Sequence, residues 1–314
     1  MMPKILCVVG PTASGKTKMG VALAKAFHGE VVSVDSMQIY RGMTIGTAAP
    51  TAAEMDGVPH HMVAVADPAE SWSVARFCAM ADSCIQDILA RGKLPVLVGG
   101  TGLYLDALVR GTAFAAGSSD GEVRDALQQR MAREGAQALL DELRTIDPEA
   151  AAKLHLKDEK RIIRALEVYQ ETGMTITAHD RLTREKPPKY EAVYIGLDFA
   201  DRQMLRDRID RRVDQMVAQG LLQEVRTLLR AGLPRSATAL QAIGYKQFLA
   251  VEEGLITEQA AIEEVKLRSR QYAKRQLTWL RRNQAIHWLY WEKEPNFSLA
   301  LQNATEILTA EGLG

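Results

Sequence analysis

The sequence predicts an α/β protein in which a doubly wound parallel sheet carries an all-helical insertion. Three observations support this fold. Strand-like apolar runs alternate with helical patterns over the first hundred residues, a strand pattern returns near residue 190, and the stretch between is helical only. We expect a first core segment at 1–115, the insertion at 116–189, and a second core segment at 190–314. A chain of 314 residues suffices for one core and one insertion.

The first motif, GPTASGKT at residues 10–17, matches the phosphate-loop pattern G-x-x-x-x-G-K-[ST]. The strand-like run Lys4–Val9 precedes it and a helical pattern, Met19–Phe27, follows, which is the context that this motif requires. We therefore expect a P-loop NTPase-like core in which backbone N–H groups at a helix N-terminus hold a diphosphate or triphosphate. Lys16 would add a charge at the outer phosphate, and the Thr17 hydroxyl would ligate Mg²⁺. The expected diphosphate-binding residues are Gly10, Pro11, Thr12, Ala13, Ser14, Gly15, Lys16 and Thr17.

The next two expected strands, Val31–Val34 and Leu94–Val98, also end in polar or small residues. Because the carboxyl ends of parallel strands line the ligand crevice, we expect Asp35 and Thr101 to lie near the phosphate loop. Asp35 has two functional interpretations, a carboxylate that holds Mg²⁺ in an ATPase or a general base facing a second substrate. A capping role is the structural alternative. The Gly99–Gly102 strand end carries no carboxylate, which argues against a motor ATPase.

The remaining elements follow in order. After Pro187-Pro188, Ala192–Leu197 is expected to rejoin the sheet, and Ile286–Tyr290 is expected to be the last strand. Helices are expected over 203–219 and 258–282. The linker is expected at 115–121. The insertion signals are an apolar repeat at four-residue spacing (Val123, Leu127 and Met131), a helix start at Asp147-Pro148, and a helix from Glu159 to Glu171 bounded by Asp158 and Thr172-Gly173.

Two charge patterns differ in what they indicate. Arg208 and Arg212 stand four residues apart beside an apolar stripe, and this spacing alone favours a solvated helix face. Residues 266–282, in contrast, hold seven basic residues and no acid. A stripe of one sign on one helix face (Lys266, Arg270, Lys274 and Arg281) is typical of a nucleic-acid contact. A second basic group, Lys160, Arg161 and Arg164, opens an insertion helix and suggests an external anion.

Composition sets broader bounds. Lys+Arg and Asp+Glu both number 39, so any nucleic-acid binding must come from local patches. The three cysteines, Cys7, Cys78 and Cys84, form no metal or redox spacing and fit a reducing compartment. His60-His61 lacks a third ligand at useful spacing and is expected to be structural. Without a signal peptide or an apolar membrane span, we expect a soluble cytoplasmic protein, without membrane association, that acts as a monomer.

Taken together, several segments resemble the tRNA dimethylallyltransferase family, also called tRNA isopentenyltransferases. They run through nearly the whole chain in the expected order. The segments are GPTASGKT (10–17), DSMQIYRGMTIGTA (35–48), LVGGTGLYLDAL (97–108), DEKRIIRALEVYQETG (158–173), AIGYK (242–246) and RQYAKRQLTWLR (270–281).

The resemblance implies transfer of the dimethylallyl group of dimethylallyl diphosphate to N6 of adenosine 37, next to the tRNA anticodon, with Mg²⁺ as cofactor. It implies Asp35 as general base, Thr101 at the reacting centre, and Arg212 reaching the diphosphate. The insertion matches the family's mobile domain that closes on the anticodon stem-loop. The implied tRNA contacts are Asp35, Ser36, Met37, Gln38, Val123, Lys160, Arg161, Ile162, Ile163, Arg164, Gly244, Tyr245, Lys246, Arg270, Lys274, Arg275 and Arg281.

The chain departs from the family pattern in places that spare these residues. Ala49 stands where Lys is common, Ala64 stands where an acid is common, and the 112–121 linker lacks a proline. The alternative enzyme is a free-nucleotide isopentenyltransferase that acts on AMP-like acceptors. An RNA-dependent phosphate-loop ATPase is the alternative from a different class, and a small-molecule kinase carries less weight.

Overall fold

The structure, a computed structural model, describes residues 2–112, 114, 121–292 and 295–313. The expected linker at 115–121 lies outside this part except for Gly121. The chain divides into two units, Met1–Gly111 with Lys189–Gly314, and Thr112–Pro188. We call them the core unit and the helical unit. Their boundaries differ from the expected 116 and 189 by a few residues. No helix in the described ranges is long and apolar enough to cross a bilayer.

The core unit contains one sheet of six parallel strands in the order β3-β2-β4-β1-β5-β6. The predicted α/β fold class is therefore confirmed, and each of the five expected strands is present. Each of these five strands either has its expected range or is longer than it by at most three residues, counted over both ends. The strands are β1 Lys4–Val9, β2 Gly29–Val34, β3 His60–His61, β4 Leu94–Gly99, β5 Glu191–Phe199 and β6 Ile286–Trp291.

Helices cover both faces of this sheet. Successive side chains of β1 point to opposite faces of the sheet: Ile5 and Cys7 belong to one apolar cluster, and Leu6 and Val8 belong to the other. Near-continuous apolar strands are what a parallel sheet covered on both sides requires. The helices of the core unit are α1 Lys16–Ala26, α2 Ala52–Met55, α3 Val74–Ala90, α4 Gly102–Arg110, α9 Arg202–Ala218, α10 Leu221–Arg230, α11 Tyr245–Glu252, α12 Glu258–Leu280 and α13 Phe297–Ala310.

The helical unit has its own apolar core. Leu127, Leu139, Leu143 and Leu166 are almost fully buried in it. The first helix bends at Gly135, whose φ of 82° and ψ of 165° lie outside the helical region. The unit contains α5 Glu122–Ile146, α6 Pro148–Ala151, α7 Glu159–Thr172 and α8 Ile176–Glu185.

Candidate active site

A cavity of about 1020 Å³ opens at the carboxyl ends of the central strands of the core unit. The phosphate loop and the Asp35–Gln38 turn line it, as do residues of the 44–51 segment, α9 and α12. This is the edge at which the sequence predicted that the strand ends would meet. A cavity of this size is at the upper end of the range for small-molecule sites.

The phosphate loop has the backbone that its glycines predict. Gly15 adopts φ 90° and precedes α1, so the loop ends at the N-terminus of that helix. Gly10 has φ 152°, and a Cβ there would lie 2.4 Å from the carbonyl oxygen of Leu197 on β5. Only glycine fits between the loop and this neighbouring strand.

Lys16 lies within the loop and lines the cavity. Its Nζ donates a hydrogen bond to the carbonyl oxygen of Pro11 at 2.6 Å. Burial and, to a smaller extent, the positive charge of Arg212 lower the pKa of Lys16 to about 7, and the negative charge of Asp35 opposes this shift. A lysine so desolvated gains its full charge when an anion binds beside it.

Asp35 is held by one of its two carboxylate oxygens. Oδ1 accepts hydrogen bonds from the backbone N–H groups of Met37 at 2.8 Å and Gln38 at 3.2 Å. Oδ2 accepts no hydrogen bond from any residue that the structure describes. The carboxylate is thus oriented by its own turn and keeps one oxygen available at the cavity, which is the arrangement that a general base needs.

Arg212 lines the same cavity from α9. Burial lowers its pKa, while the negative charges of Glu54 and Asp35 raise it. Arg208, one turn earlier, also lines the cavity and donates from Nε to the carbonyl oxygen of Ala13 at 3.2 Å. The interpretation as a solvated helix face was therefore wrong for Arg212, which is partly buried at the cavity, whereas Arg208 is exposed and also contacts the phosphate loop.

Thr101 is not among the residues that line the cavity, although it follows β4 as expected. Its hydroxyl oxygen is buried, close to the phenol of Tyr272 on α12. Tyr272 itself lines the cavity, and burial together with the charge of Asp35 raises its pKa to about 12. The phenol stays protonated at neutral pH, so Tyr272 presents a hydrogen-bond donor there. The role of Thr101 stays a prediction.

Gln276 is a site residue that sequence reasoning missed. It is 6% exposed, its Oε1 accepts from the N–H of Thr12 at 2.8 Å, and its Nε2 donates to the carbonyl oxygen of Gly100 at 3.1 Å. A Cβ on Gly100 would lie 2.2 Å from that Nε2. The glycines after β4 thus make room for α12. A second missed residue, Trp291, donates from Nε1 to the carbonyl oxygen of Ser14 at 2.8 Å.

His60 and His61 form structural hydrogen bonds, and the three cysteines form no disulfide. His61 pairs through Nε2 with Glu30 at 2.8 Å, and a ring nitrogen of His60 bonds the carbonyl oxygen of Val58. The cysteines are free. Among the described residues, no group of three His, Cys, Asp or Glu side chains could hold a metal ion. Thr17 and Asp35 both line the cavity. These oxygens suit Mg²⁺, which takes its other ligands from phosphate and water.

Comparison with known proteins identifies the family of this chain. Residues 38–283 match the family described as IPP transferase, and residues 3–63 match isopentenyl transferase. The chain belongs to the tRNA dimethylallyltransferase family. It is 41% identical to the tRNA dimethylallyltransferase of Thermoanaerobacter sp. over 99% of both chains. It is 49% identical to that of Halalkalibacterium halodurans over 92% of this chain and 91% of the other.

Two solved structures of the family show the same fold. The tRNA isopentenylpyrophosphate transferase of Bacillus halodurans has a TM-score of 0.72 at 44% identity, covering 98% of this chain and 96% of that one. A eukaryotic dimethylallyltransferase acting on tRNA has a TM-score of 0.78 at 27% identity, covering 98% of this chain and 80% of that one. The predicted membership in the tRNA dimethylallyltransferase family is confirmed.

For this family member, the expected basic stripe on α12 needs a correction. Lys266 pairs with Asp214 at 2.7 Å, and Arg270 pairs through Nη1 with Asp210 at 2.6 Å. Both acids belong to α9, so the first half of the stripe faces a neighbouring helix and is neutralised. The stripe was inferred from α12 alone, and the acids that α9 brings against it come from a distant part of the sequence.

The second half of α12 is different. Lys274 is exposed and forms no ion pair with any described residue. Arg275 is exposed, lines the cavity, and lies with its guanidinium carbon 5.7 Å from the ring centre of Tyr272. Arg281 is 51% exposed and only 3.4 Å from Asp198. These three cations remain expected tRNA contacts.

Several expected tRNA contacts of the family are core residues here. Ile162 and Ile163 are 0% and 8% exposed within the helical unit, and Val123 packs against the same cluster. Tyr245 is fully buried in the core unit, and Gly244 beside it is buried as well. The side-chain contacts expected for Ile162, Ile163 and Tyr245 are therefore corrected, because their side chains are inaccessible to tRNA.

The charged and polar members of that set remain accessible. Lys160, Arg161 and Lys246 are exposed. Arg161 pairs with Asp158 at 3.2 Å, and Arg164 pairs with Glu167 at 2.9 Å. The inference that these arginines need an external anion is thus weakened, since each has an acid on its own helix or at its cap. The residues of the expected set that line the cavity are Asp35, Ser36, Met37, Gln38 and Arg275.

Proposed function

We propose that this protein transfers the dimethylallyl group of dimethylallyl diphosphate to N6 of adenosine 37, next to the anticodon of tRNA, and releases diphosphate. One observation carries the proposal: a phosphate loop and a carboxylate with one available oxygen open into the same cavity. The first suits a diphosphate leaving group and the second suits an amine that must lose a proton.

The leaving group is the first chemical demand. An allylic carbon loses diphosphate readily because the cation left behind is stabilised, so charge builds on the departing oxygens. Lys16, Arg212 and residues of the phosphate loop line the same cavity, and we propose that they bind the oxygens on which that charge develops. Donors fixed in advance stabilise developing charge without reorganising during the reaction.

We also propose that Mg²⁺ binds with the diphosphate through the Thr17 hydroxyl. When bound, the ion supplies further neutralisation of the phosphate oxygens. Thr17 stands in the first turn of α1, next to Lys16, as the phosphate-loop motif requires.

The acceptor is the second chemical demand. The N6 amine of adenine is a poor nucleophile because its lone pair is delocalised into the ring. Asp35 Oδ2 accepts an N6 proton as the carbon–nitrogen bond forms, so that the product is neutral. General bases of this kind contribute about 10² to 10⁴ in rate.

The adenine must leave its loop stack to enter the cavity, which costs a few kcal/mol. The exposed cations Lys274 and Arg275 of α12 and Lys160 of α7 are available to bind the phosphate backbone. We propose that they bind the anticodon stem-loop, with the helical unit contacting the same stem-loop, and that the protein acts as a monomer.

The test is direct. Labelled dimethylallyl diphosphate and unmodified tRNA, incubated with the protein and Mg²⁺, should give prenylated tRNA without ATP. Prenylation of AMP but not of tRNA would instead indicate a free-nucleotide isopentenyltransferase. Release of γ-phosphate from ATP on addition of RNA, without prenyl transfer, would indicate an ATPase.

A further inference from the structure

The carboxylate of Glu224, on α10, binds an unusual number of donors outside the proposed reaction centre. Its Oε2 accepts from the backbone N–H groups of Thr44 and Ile45, each at 2.9 Å, and from the Thr44 hydroxyl at 2.9 Å. Its Oε1 accepts from the N–H of Gly46 at 3.2 Å and from the phenol of Tyr245 at 2.5 Å. Three consecutive backbone N–H groups thus converge on one side chain.

The segment held in this way is a wall of the cavity. Residues 44–48, which we call the wall segment, all line it. Gly46 fits there because a Cβ would lie 2.4 Å from the ring of Tyr245. Consecutive N–H groups that face one point form an anion-binding concavity, and Glu224 fills this concavity with a charge from the protein itself.

The far end of the wall segment is bonded to the turn that carries the proposed base. The Gln38 side chain donates from Nε2 to the carbonyl oxygens of Thr47 at 3.3 Å and Ala48 at 3.1 Å. Its Oε1 accepts from the Ser33 hydroxyl at 2.9 Å. The backbone N–H of the same Gln38 donates to Oδ1 of Asp35. Hydrogen bonds thus connect Glu224 to the start of the wall segment, the end of that segment to Gln38, and Gln38 to Asp35.

We propose that Glu224 is a positioning residue for the transfer step: it holds the wall segment so that Gln38 and the Asp35 turn keep the geometry that the acceptor amine needs. This inference rests on the proposed function for the identity of the acceptor. Glu224 acts through Gln38, because its hydrogen bonds with described residues go to the wall segment and to Tyr245 and not to the phosphate loop.

The charge of Glu224 is the part that can be tested. A glutamine at this position would turn an N–H₂ group, itself a donor, towards backbone N–H groups that need acceptors. Burial, with the adjacent Glu224 carboxylate, raises the pKa of Tyr245, so its phenol stays a donor and requires an acceptor too. Glu224→Asp keeps the charge but withdraws it by one methylene, so it should restore part of the function.

The chain offers a matched control in Glu252. Its carboxylate links α11 to α10, since Arg226 of α10 donates to it at 2.8 Å, and it forms no hydrogen bond or ion pair with the described residues 44–48 of the wall segment. Glu252→Gln thus reproduces the loss of one carboxylate from the α10–α11 contact and leaves residues 44–48 untouched.

The experiment compares the full-length wild type, E224Q, E224D and E252Q by hydrogen exchange of residues 44–46, by single-turnover prenyl transfer to tRNA, and by affinity for dimethylallyl diphosphate. We expect E224Q to speed exchange at 44–46 and to slow transfer by about 10- to 100-fold, because small misplacements of reacting groups cost about that much. Its affinity for dimethylallyl diphosphate should change less than about threefold, as for substitutions away from a site. E224D should be intermediate and E252Q should match the wild type.

Three results would overturn the proposal: unchanged exchange at 44–46 in E224Q, faster exchange with undiminished transfer, or an equal loss in E252Q. A parallel loss of diphosphate affinity would also overturn it, because it would show a general structural defect. If E224Q does not fold, the graded effect of E224D carries the same comparison. Failure of the wild type to prenylate tRNA would refute the proposed function. Hydrogen exchange of residues 44–46 in E224Q would then still test whether Glu224 anchors the wall segment.

Discussion

The side-chain oxygen of Gln276 accepts a hydrogen bond from the backbone N–H of Thr12 at 2.8 Å, joining α12 to the phosphate loop. The amide nitrogen of the same Gln276 donates to the carbonyl oxygen of Gly100 at 3.1 Å. One buried side chain therefore fixes the relative position of two strand ends at the proposed diphosphate site. The exposed cations Lys274 and Arg275 precede it on the same helix.

The Gln276→Ala variant should weaken this site. It would leave the Thr12 N–H and the Gly100 carbonyl without their partner in a buried place, at a cost of about 1–3 kcal/mol per unsatisfied group. We expect a lower urea midpoint and weaker binding of inorganic diphosphate, measured by calorimetry. Gln271→Ala, at an exposed glutamine of the same helix, is the control. Equal diphosphate affinity in wild type and Q276A would contradict the positioning role.

The Asp35→Asn variant should separate binding from chemistry. Asparagine keeps an oxygen for the N–H groups of Met37 and Gln38, so the turn should persist. It cannot accept the proton, and single-turnover transfer should fall by about 10² to 10⁴. Affinities for tRNA and for dimethylallyl diphosphate should stay near those of the wild type. Retention of full transfer by D35N would exclude Asp35 as the general base.

Lys16 should take up a proton when diphosphate binds. In the free site its pKa is about 7, so at pH 8 roughly nine-tenths of it is neutral. A bound anion raises that pKa, so binding at pH 8 should draw in up to about one proton at Lys16 and weaken as the pH rises further. Below about pH 6 Lys16 is already charged and should contribute little uptake.

The matched variant for this measurement is Lys16→Arg, because arginine stays protonated throughout this range. Calorimetry in buffers of different ionisation enthalpy gives the proton count, and the difference between wild type and K16R removes the ligand's own protonation. Equal counts in the two proteins at pH 8 would contradict a lowered pKa of Lys16.

Lys274, in the second half of α12, should contribute to tRNA binding. Lys274→Ala should weaken binding and reduce the slope of log K against log[salt] by about 1 if the contacted phosphate is in duplex, and about 0.7 in a single strand. Arg268→Ala on the same helix is the control, because Arg268 pairs with Glu264 at 2.6 Å. Filter-binding assays over a salt series measure both. An unchanged slope in K274A would make Lys274 an ordinary solvated residue.

The sequence was most informative where a function depends on local backbone. The backbone of the loop from Gly10 to Thr17 and that of the Asp35 turn depend on glycines and hydrogen bonds within a few positions, so motif and structure agree. The five longer strands were equally predictable, since runs such as Lys4–Val9 need only apolar residues to be recognised as buried, whereas the two-residue strand His60–His61 was not expected. Family resemblance extended this to the activity, because its segments span nearly the whole chain.

Contacts between distant segments could not be predicted in this way. Charge spacing on α12 suggested one basic stripe, but Asp210 and Asp214 of α9 neutralise its first half. Helical periodicity likewise did not predict whether Ile162 faces the core or the solvent, and its side chain is fully buried. A helix pattern shows which residues share a face, and only packing decides what that face meets.

The sequence by itself thus determined the α/β core, the phosphate loop and a carboxylate at the next strand end, because these follow from short-range chemistry and from the parallel order of strands. Tertiary structure alone decided that Gln276 holds Thr12, that Arg208 faces the loop, and that Glu224 gathers the amides of residues 44–46. Each of these joins residues more than 170 positions apart, and such partners are chosen by the packing of whole helices.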